Sequence, residues 1–304
     1  MPFSHHSHSG QFCGHAENTL REVVQIAIEK GMEVFAMTEH MPRDEEDFYP
    51  EEIKVHTALT LSKLFDDYYY EAVRLRQAFS PRIKLLVGVE VDWIRPSSKE
   101  FINALLNKYQ FDLFIGSVHH VHTIPIDYDR KRYEDARERC GGTDERLFED
   151  YFDHQFDMLK ALKPPIVAHF DLIRLLSDKQ NASMKRWNGV WKKVLRNLDF
   201  ITDYGGIIEL NSAALRKGMH EPYPQADICK EFLARGGQFT ISDDSHGVSY
   251  VGTNYGRLLQ FIEKLDVVSL TFLEKGCNTK DPRFPNVSSE TVSIAQIRKH
   301  PVFA

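Results

Sequence analysis

Cysteine is scarce in this chain: Cys13, Cys140, Cys229 and Cys277 lie far apart in 304 residues, with no C-x-x-C pair. That excludes a disulfide framework and a cysteine-built zinc knuckle, and it predicts a reducing, cytoplasmic setting. Long apolar runs are missing. No stretch approaches the roughly 20 residues that span a bilayer, and the first residues lack the apolar segment of a secretory signal, so no membrane partner is expected. Basic charge is not in excess either, with 38 Lys and Arg against 44 Asp and Glu and a formal charge of −6. Proteins that hold nucleic acid through its phosphates cluster Lys and Arg, so no nucleic-acid partner is expected. A small anionic substrate stays possible, because a few local basic groups suffice for it. The residues that are present, 42% hydrophobic and 27% charged without repeats, predict a soluble globular protein with one sizeable core or two small ones.

Seven short apolar runs alternate with helix-like stretches: MPFSHH, EVFAMTEH, KLLVGVEVDW, DLFIGSVHH, PIVAHFD, GIIELNSAAL and QFTISDDSH. Strands alternating with helices predict an α/β fold, and seven of them favour a closed barrel over an open sheet. The expectation is a distorted (β/α)7 barrel occupying residues 1–304 as one domain. His122–Thr143, rich in charge and reaching Cys140-Gly-Gly, reads as an inserted surface loop or lid. The tail Lys280–Ala304, with three prolines, is expected outside the barrel.

Every run ends in groups able to bind metal or substrate: His6 and His8, Glu39 and His40, Glu90 and Asp92, His119, His169 and Asp171, Glu209 and Asn211, Asp244 and His246. The first segment taken alone could be a tag remnant, a polar arm or a metal site. In a strand, however, residues two apart face one side, so H6-x-H8 points both imidazoles into one space. Parallel α/β barrels gather their functional groups at the carboxyl ends of the strands, which brings all seven sets to one face. Core packing does not explain such a pattern, since buried charge is costly unless paired or metal-bound.

The ordered set H6-x-H8, C-G-H15-A, T-E-H40, G-x-E90-x-D92, G-S-V-H119-H, A-H169-F-D171 and D244-x-H246 resembles the PHP (polymerase and histidinol phosphatase) family, and within it the histidinol-phosphate phosphatases. The resemblance runs from residue 6 to residue 246. It implies a distorted (β/α)7 barrel with two to three divalent ions, zinc, iron or manganese, hydrolysing L-histidinol phosphate to L-histidinol and phosphate. Carried over, one ion takes His6, His8, Glu90 and Asp244; a second shares Glu90 and adds His119 and His169; a third takes His15, His40 and His246. Two departures stand out. T-E-H replaces the usual T-D-H, which leaves the part played by Glu39 open, and S-D-D-S-H replaces S-D-A-H, which leaves Asp243 beside the aligned Asp244.

For that chemistry Asp244, Glu90 and His119 are the expected catalytic residues, with Asp244 or a nearby histidine as proton source. Arg174 and Arg216 are expected on the phosphate, and Glu17 and Glu209 on the imidazole and ammonium of the substrate. Other groups have plainer readings. His5 should face away from the ligands; His120 and His122 should support ligands or lie on the surface; His56, His154, His220 and His300 read as surface histidines. Tyr68, Tyr69 and Tyr70 read as packing plus rim. Asp92 and Asp171 could orient a histidine or touch substrate. Cys140-GGTDE-Arg146 matches the C-x5-R phosphatase pattern, but no apolar strand precedes it and two acids sit inside it, so a thiolate mechanism is not expected. The rival functions are a PHP phosphoesterase acting on nucleotides or DNA ends, disfavoured by the charge, and a non-catalytic metal-binding protein, disfavoured by the complete ligand set.

Overall fold

The computed structural model describes residues 2–277 and 281–304, so Lys280 of the expected tail lies outside them. Each of the seven apolar runs holds one strand of a single parallel sheet. In chain order the strands are β1 (Phe3–Ser4), β2 (Val34–Met37), β3 (Lys84–Asp92), β4 (Leu113–Ser117), the hairpin β5 (His120–Val121) and β6 (Ile124–Pro125), β7 (Ile166–Val167), β8 (Ile207–Asn211), β9 (Gln238–Ser242), β10 (Ser269–Lys275) and β11 (Val287–Ser293). The main sheet runs β1-β2-β3-β4-β7-β8-β9. It closes nearly into a barrel through a parallel bridge, Ser7 to Ser245, where His8 N–H donates to the Ser245 carbonyl at 2.7 Å.

Helices alternate with these strands: α1 (Leu20–Glu29), α2 (Pro50–Ile53), α3 (Ala58–Phe79), α4 (Ser98–Lys108), α5 (Arg130–Arg139), α6 (Asp144–Leu162), α7 (Asn188–Tyr204), α8 (Ala213–Arg216), α9 (Ala226–Ala234), α10 (Tyr255–Lys264) and α11 (Ile294–Ile297). Local chemistry sets their limits. Thr19 and Glu22 form a capping box at the start of α1, whose buried face is Leu20, Val23, Val24 and Ala27, the spacing of one helical stripe. Thr143 caps α6 through its hydroxyl alone, which accepts from Arg146 N, and Gly205 ends α7 at φ 77°. In α3 only Tyr68 of the tyrosine run is fully buried, its hydroxyl donating to the carbonyls of Met37 and Gly88 at 2.6 and 2.7 Å, while Tyr70 is exposed. At Gly88 a Cβ would meet the Leu113 carbonyl at 2.9 Å, so β3 and β4 approach closely there.

Two features depart from the sequence expectation. The segment 122–143 is not an irregular loop. His122 and Thr123 take positive φ, the two-residue turn that suits a β-hairpin, and Asp129 caps α5 by accepting from Arg132 N at 2.7 Å. The second is the antiparallel pair β10–β11, which no apolar run announced. It packs against the amino ends of the barrel strands: Phe272 meets Phe3 at 5.2 Å between ring centroids, Glu274 pairs with Lys84, and Lys275 pairs with Asp112. His5 faces it, away from His6 and His8. Its Nε2 accepts from Leu273 N at 3.0 Å, and burial lowers its pKa to about 4, so the ring is neutral and sits in the floor of the barrel. No described helix is long and apolar enough to cross a membrane.

Candidate metal centre

The carboxyl ends of the strands meet at Glu90. Its carboxylate is buried, with Oε2 facing His6 Nε2 at 3.2 Å, His8 Nε2 at 3.4 Å and His40 Nδ1 at 2.9 Å. Its other oxygen faces His169 Nε2 at 3.1 Å and His119 Nε2 at 3.4 Å. Asp244 Oδ1 closes the first group, 3.6 Å from His6 Nε2 and 3.4 Å from His8 Nε2. Asp244 holds a positive φ of 47°, an uncommon state for a residue with a side chain and one typical of sites that aim a group.

Apart from the hydrogen bond between His169 Nε2 and Glu90 Oε1, these contacts are close without being well aligned hydrogen bonds. Among the described residues His6 Nε2, His8 Nε2, His40 Nε2, His169 Nδ1 and Glu90 Oε2 are all buried without a hydrogen-bond partner. Such orphans are rare because each costs desolvation energy. Separations of 3.2–3.6 Å match the edge, about 3.3 Å, of a tetrahedron of ligands with arms of 2.0–2.1 Å. The residues fit divalent metal.

The remaining ring nitrogens explain how the imidazoles are aimed. His6 Nδ1 meets Glu209 Oε2 at 3.1 Å, and His8 Nδ1 meets Glu39 Oε1 at 3.0 Å. Carboxylates behind metal-facing histidines fix ring orientation and raise ligand basicity. Glu39 thus has a defined place, accepting also from Ser9 N. Asp92 does the same from β3, accepting from His119 N at 3.1 Å and facing His120 Nδ1 at 2.9 Å, so it orients histidines rather than lining the open basin.

A further group lies beside the first. His15, His40 and His246 converge with Cys13, whose Sγ is 3.3 Å from His15 Nε2. Sequence reasoning placed the three histidines together and gave Cys13 no part; the C-G-H15-A motif was the available signal. The groups differ in charge. Burial would lower His8 and His119, but Asp244 and Glu39 raise the first and Glu90 and Asp92 the second, each to about 9. Burial, and then the neighbouring His8, hold His40 and His246 well below the ordinary imidazole range. Burial would likewise raise Asp244, yet His6, His8 and His246 hold it well below the usual carboxylate range. Asp244 is therefore ionised, an acceptor rather than a proton source. Asp243, beside it, is pushed up to about 6 by burial and is tied to Ser4, Ser245 and Gly252.

Three substrate expectations are corrected. Arg174 is turned into the protein: Nε lies 2.8 Å from Asp171 Oδ2, and the guanidinium donates to the carbonyls of Gln180, Glu221 and Pro222. Four chain oxygens occupy its fork, so none of it is offered to phosphate. Glu209 is fully buried and accepts from His169 N and Ser242 Oγ as well as from His6, out of reach of a substrate. Glu17 is exposed and does not line the basin over the cluster, although its N–H donates to the His246 carbonyl. Arg216 does not line the basin but lies behind it, donating to the Asp244 carbonyl at 3.2 Å with its guanidinium 4.1 Å over Tyr250.

The basin, about 250 Å³, is lined by cluster residues and by Tyr49, Glu51, Asp127, Tyr128, Leu172 and Lys217. None of these six was singled out from sequence; they lie in loops, in single-turn helices or at a helix end, without a periodic signal. Cys140 is elsewhere. It caps the end of α5, and burial, with Asp150 beside it, pushes its thiol up to about 12, while Arg146 pairs with Glu149. The C-x5-R match therefore forms no anion cradle.

A family described as PHP domain matches residues 4–213. A Schizosaccharomyces pombe protein named "Probable histidinol-phosphatase" is 42% identical over 294 residues, 96% of each chain. The Saccharomyces cerevisiae histidinol-phosphatase is 31% identical over 99% of each chain. Among solved structures, a histidinol phosphate phosphatase from Lactococcus lactis, in complex with zinc, L-histidinol and phosphate, superposes with a TM-score of 0.67 over 88% of this chain and 95% of its own; at 20% identity that likeness is one of fold.

Proposed function

The chain belongs to the PHP domain family, and from that premise we propose that it hydrolyses L-histidinol phosphate to L-histidinol and phosphate, as a step of histidine biosynthesis in the cytoplasm. It is a metal-dependent phosphoesterase. The observation that carries the reading is the convergence of unpartnered His6 and His8 Nε2 atoms on Glu90 and Asp244, each ring held from behind by a carboxylate.

We assign two to three ions, zinc, iron or manganese, to the three groups. His6, His8 and Glu90, with Asp244 3.6 and 3.4 Å from the two rings, would hold one; Glu90, His119 and His169 a second; His15, His40 and His246, beside Cys13, a third. Bound there, divalent ions supply Lewis-acid charge beside the phosphoryl oxygens and acidify water. The chain does the rest. Glu90, with one oxygen toward each of two histidine sets, fixes the spacing of the first two groups. Asp244, held ionised, completes the first and orients the neighbouring rings. Lys217, whose ammonium makes no hydrogen bond or ion pair among the described residues, lines the basin and offers positive charge to the phosphate, and Arg216 adds charge from behind the Asp244 carbonyl.

The test is phosphate release from L-histidinol phosphate, compared with nucleotides and p-nitrophenyl phosphate, on protein of measured metal content. The reading expects the highest kcat/KM on histidinol phosphate and loss of turnover on chelation. Equal or higher kcat/KM on nucleotides would overturn it.

A further inference from the structure

The substrate carries an ammonium group on the carbon next to the one bearing the phosphoester, so phosphate seated over the cluster brings a cation in beside it. A buried cation needs a carboxylate. Both carboxylates expected from sequence are ruled out by position, and most others around the basin are committed. Glu90 and Asp244 face histidines, and Glu51 Oε2 accepts from Tyr128 Oη at 2.9 Å while its other oxygen lies 3.8 Å from His15 Nδ1.

Asp127 is different. It lines the basin, is half-buried, and its carboxylate makes no hydrogen bond or ion pair among the described residues. It belongs to none of the groups whose donor atoms converge closely enough to share an ion. Its charge nevertheless reaches His119 in the second group. Its position is fixed from both sides. Ile126 is fully buried and its N–H donates to the His119 carbonyl at 2.9 Å; Tyr128 stacks on Tyr49 with ring centroids 5.4 Å apart and planes 14° apart. Arg132 lies over the outer face of Tyr128 at 4.9 Å. A free carboxylate presented on two anchored neighbours is pre-organised for a ligand of opposite charge.

We propose that Asp127, carried by the 122–143 insertion, receives the substrate's ammonium group and thereby selects amino-alcohol phosphates over phosphate esters that lack the amine. This rests on the histidinol-phosphate reading above. With Lys217 in the same basin, the site is bipolar, with a cation for the phosphate and an anion for the amine.

The experiment uses full-length protein of measured metal content and two esters, L-histidinol phosphate and its des-amino analogue, 3-(imidazol-4-yl)propyl phosphate. Asp127→Asn should lower kcat/KM on histidinol phosphate by roughly 10- to 100-fold, chiefly through KM, the worth of a hydrogen bond to a charged group. The loss on the analogue should be at least tenfold smaller, with metal content equal to wild type. Asp127→Glu, which keeps the charge, should retain most of the preference for the amine. Equal losses on both esters would overturn the proposal, because a proton donor or a purely structural residue affects both, and so would no loss on either. Wild-type protein that releases phosphate from neither ester would overturn the underlying reading and the proposal with it.

Discussion

Glu209 stands behind His6, its Oε2 3.1 Å from Nδ1, while the opposite ring nitrogen faces Glu90 and Asp244. A carboxylate at that position tunes a ligand without touching substrate. Glu209→Gln should weaken metal binding by about 10- to 100-fold, read by chelator competition. A raised KM with unchanged metal affinity would return Glu209 to the substrate.

Arg174→Ala should destabilise the protein rather than impair substrate capture. It leaves Asp171 buried without its ion-pair partner and removes donors from three carbonyls, and losing one member of a buried pair typically costs about 3–5 kcal/mol. The urea midpoint should fall while KM stays within about twofold. Arg216→Ala should do the reverse, lowering kcat/KM by roughly 10²- to 10³-fold with the midpoint little changed.

Loading metal into chelator-treated protein should release protons near pH 7.5. His8 and His119 titrate near 9 in the metal-free site, so both rings are protonated below that pH and must lose the proton to ligate. His40 and His246, held well below 6.5, are already neutral. Release should shrink as pH rises through 9. Calorimetry in buffers of different ionisation enthalpy measures it; a release of zero at pH 7.5 would contradict these charge states.

Cys140→Ser should leave turnover unchanged. With its thiol near 12, only about one part in 10⁴ of Cys140 is thiolate at pH 8, so alkylation by iodoacetamide should be slow and should accelerate steadily up to pH 10 rather than level off near 9. Mass-spectrometric mapping of the modified cysteines reads this directly.

The barrel strands and the ligands were legible because both obey short rules. Apolar runs mark β2, β3, β4, β8 and β9, and parallel strands deliver the residues at their carboxyl ends to one face. Direction beyond the strand end was not legible. Glu209 and Arg174 share the strand-end pattern of His169, yet Glu209 lies one layer below the ligands and Arg174 sits in a short 3-10 turn that swings it toward backbone carbonyls. Asp127 and Lys217 belong to a loop and a helix end, where no period announces a face. The β10–β11 pair was missed because its strands join through a long connection rather than the two-residue turn that signals a hairpin.

That pair has a consequence for traffic. With β10 and β11 across the amino ends and His5 locked to Leu273, the barrel is stoppered at one end; at the other the basin opens over Glu90, His119, His169 and Asp244, and a second cavity reaches Cys13, His15 and His40. Ester, alcohol and phosphate are thereby confined to the carboxyl-end face of the barrel. Substrate seated in the basin covers Glu90, His119, His169 and Asp244, so an ion held by these residues would leave more slowly from the occupied site than from the empty one.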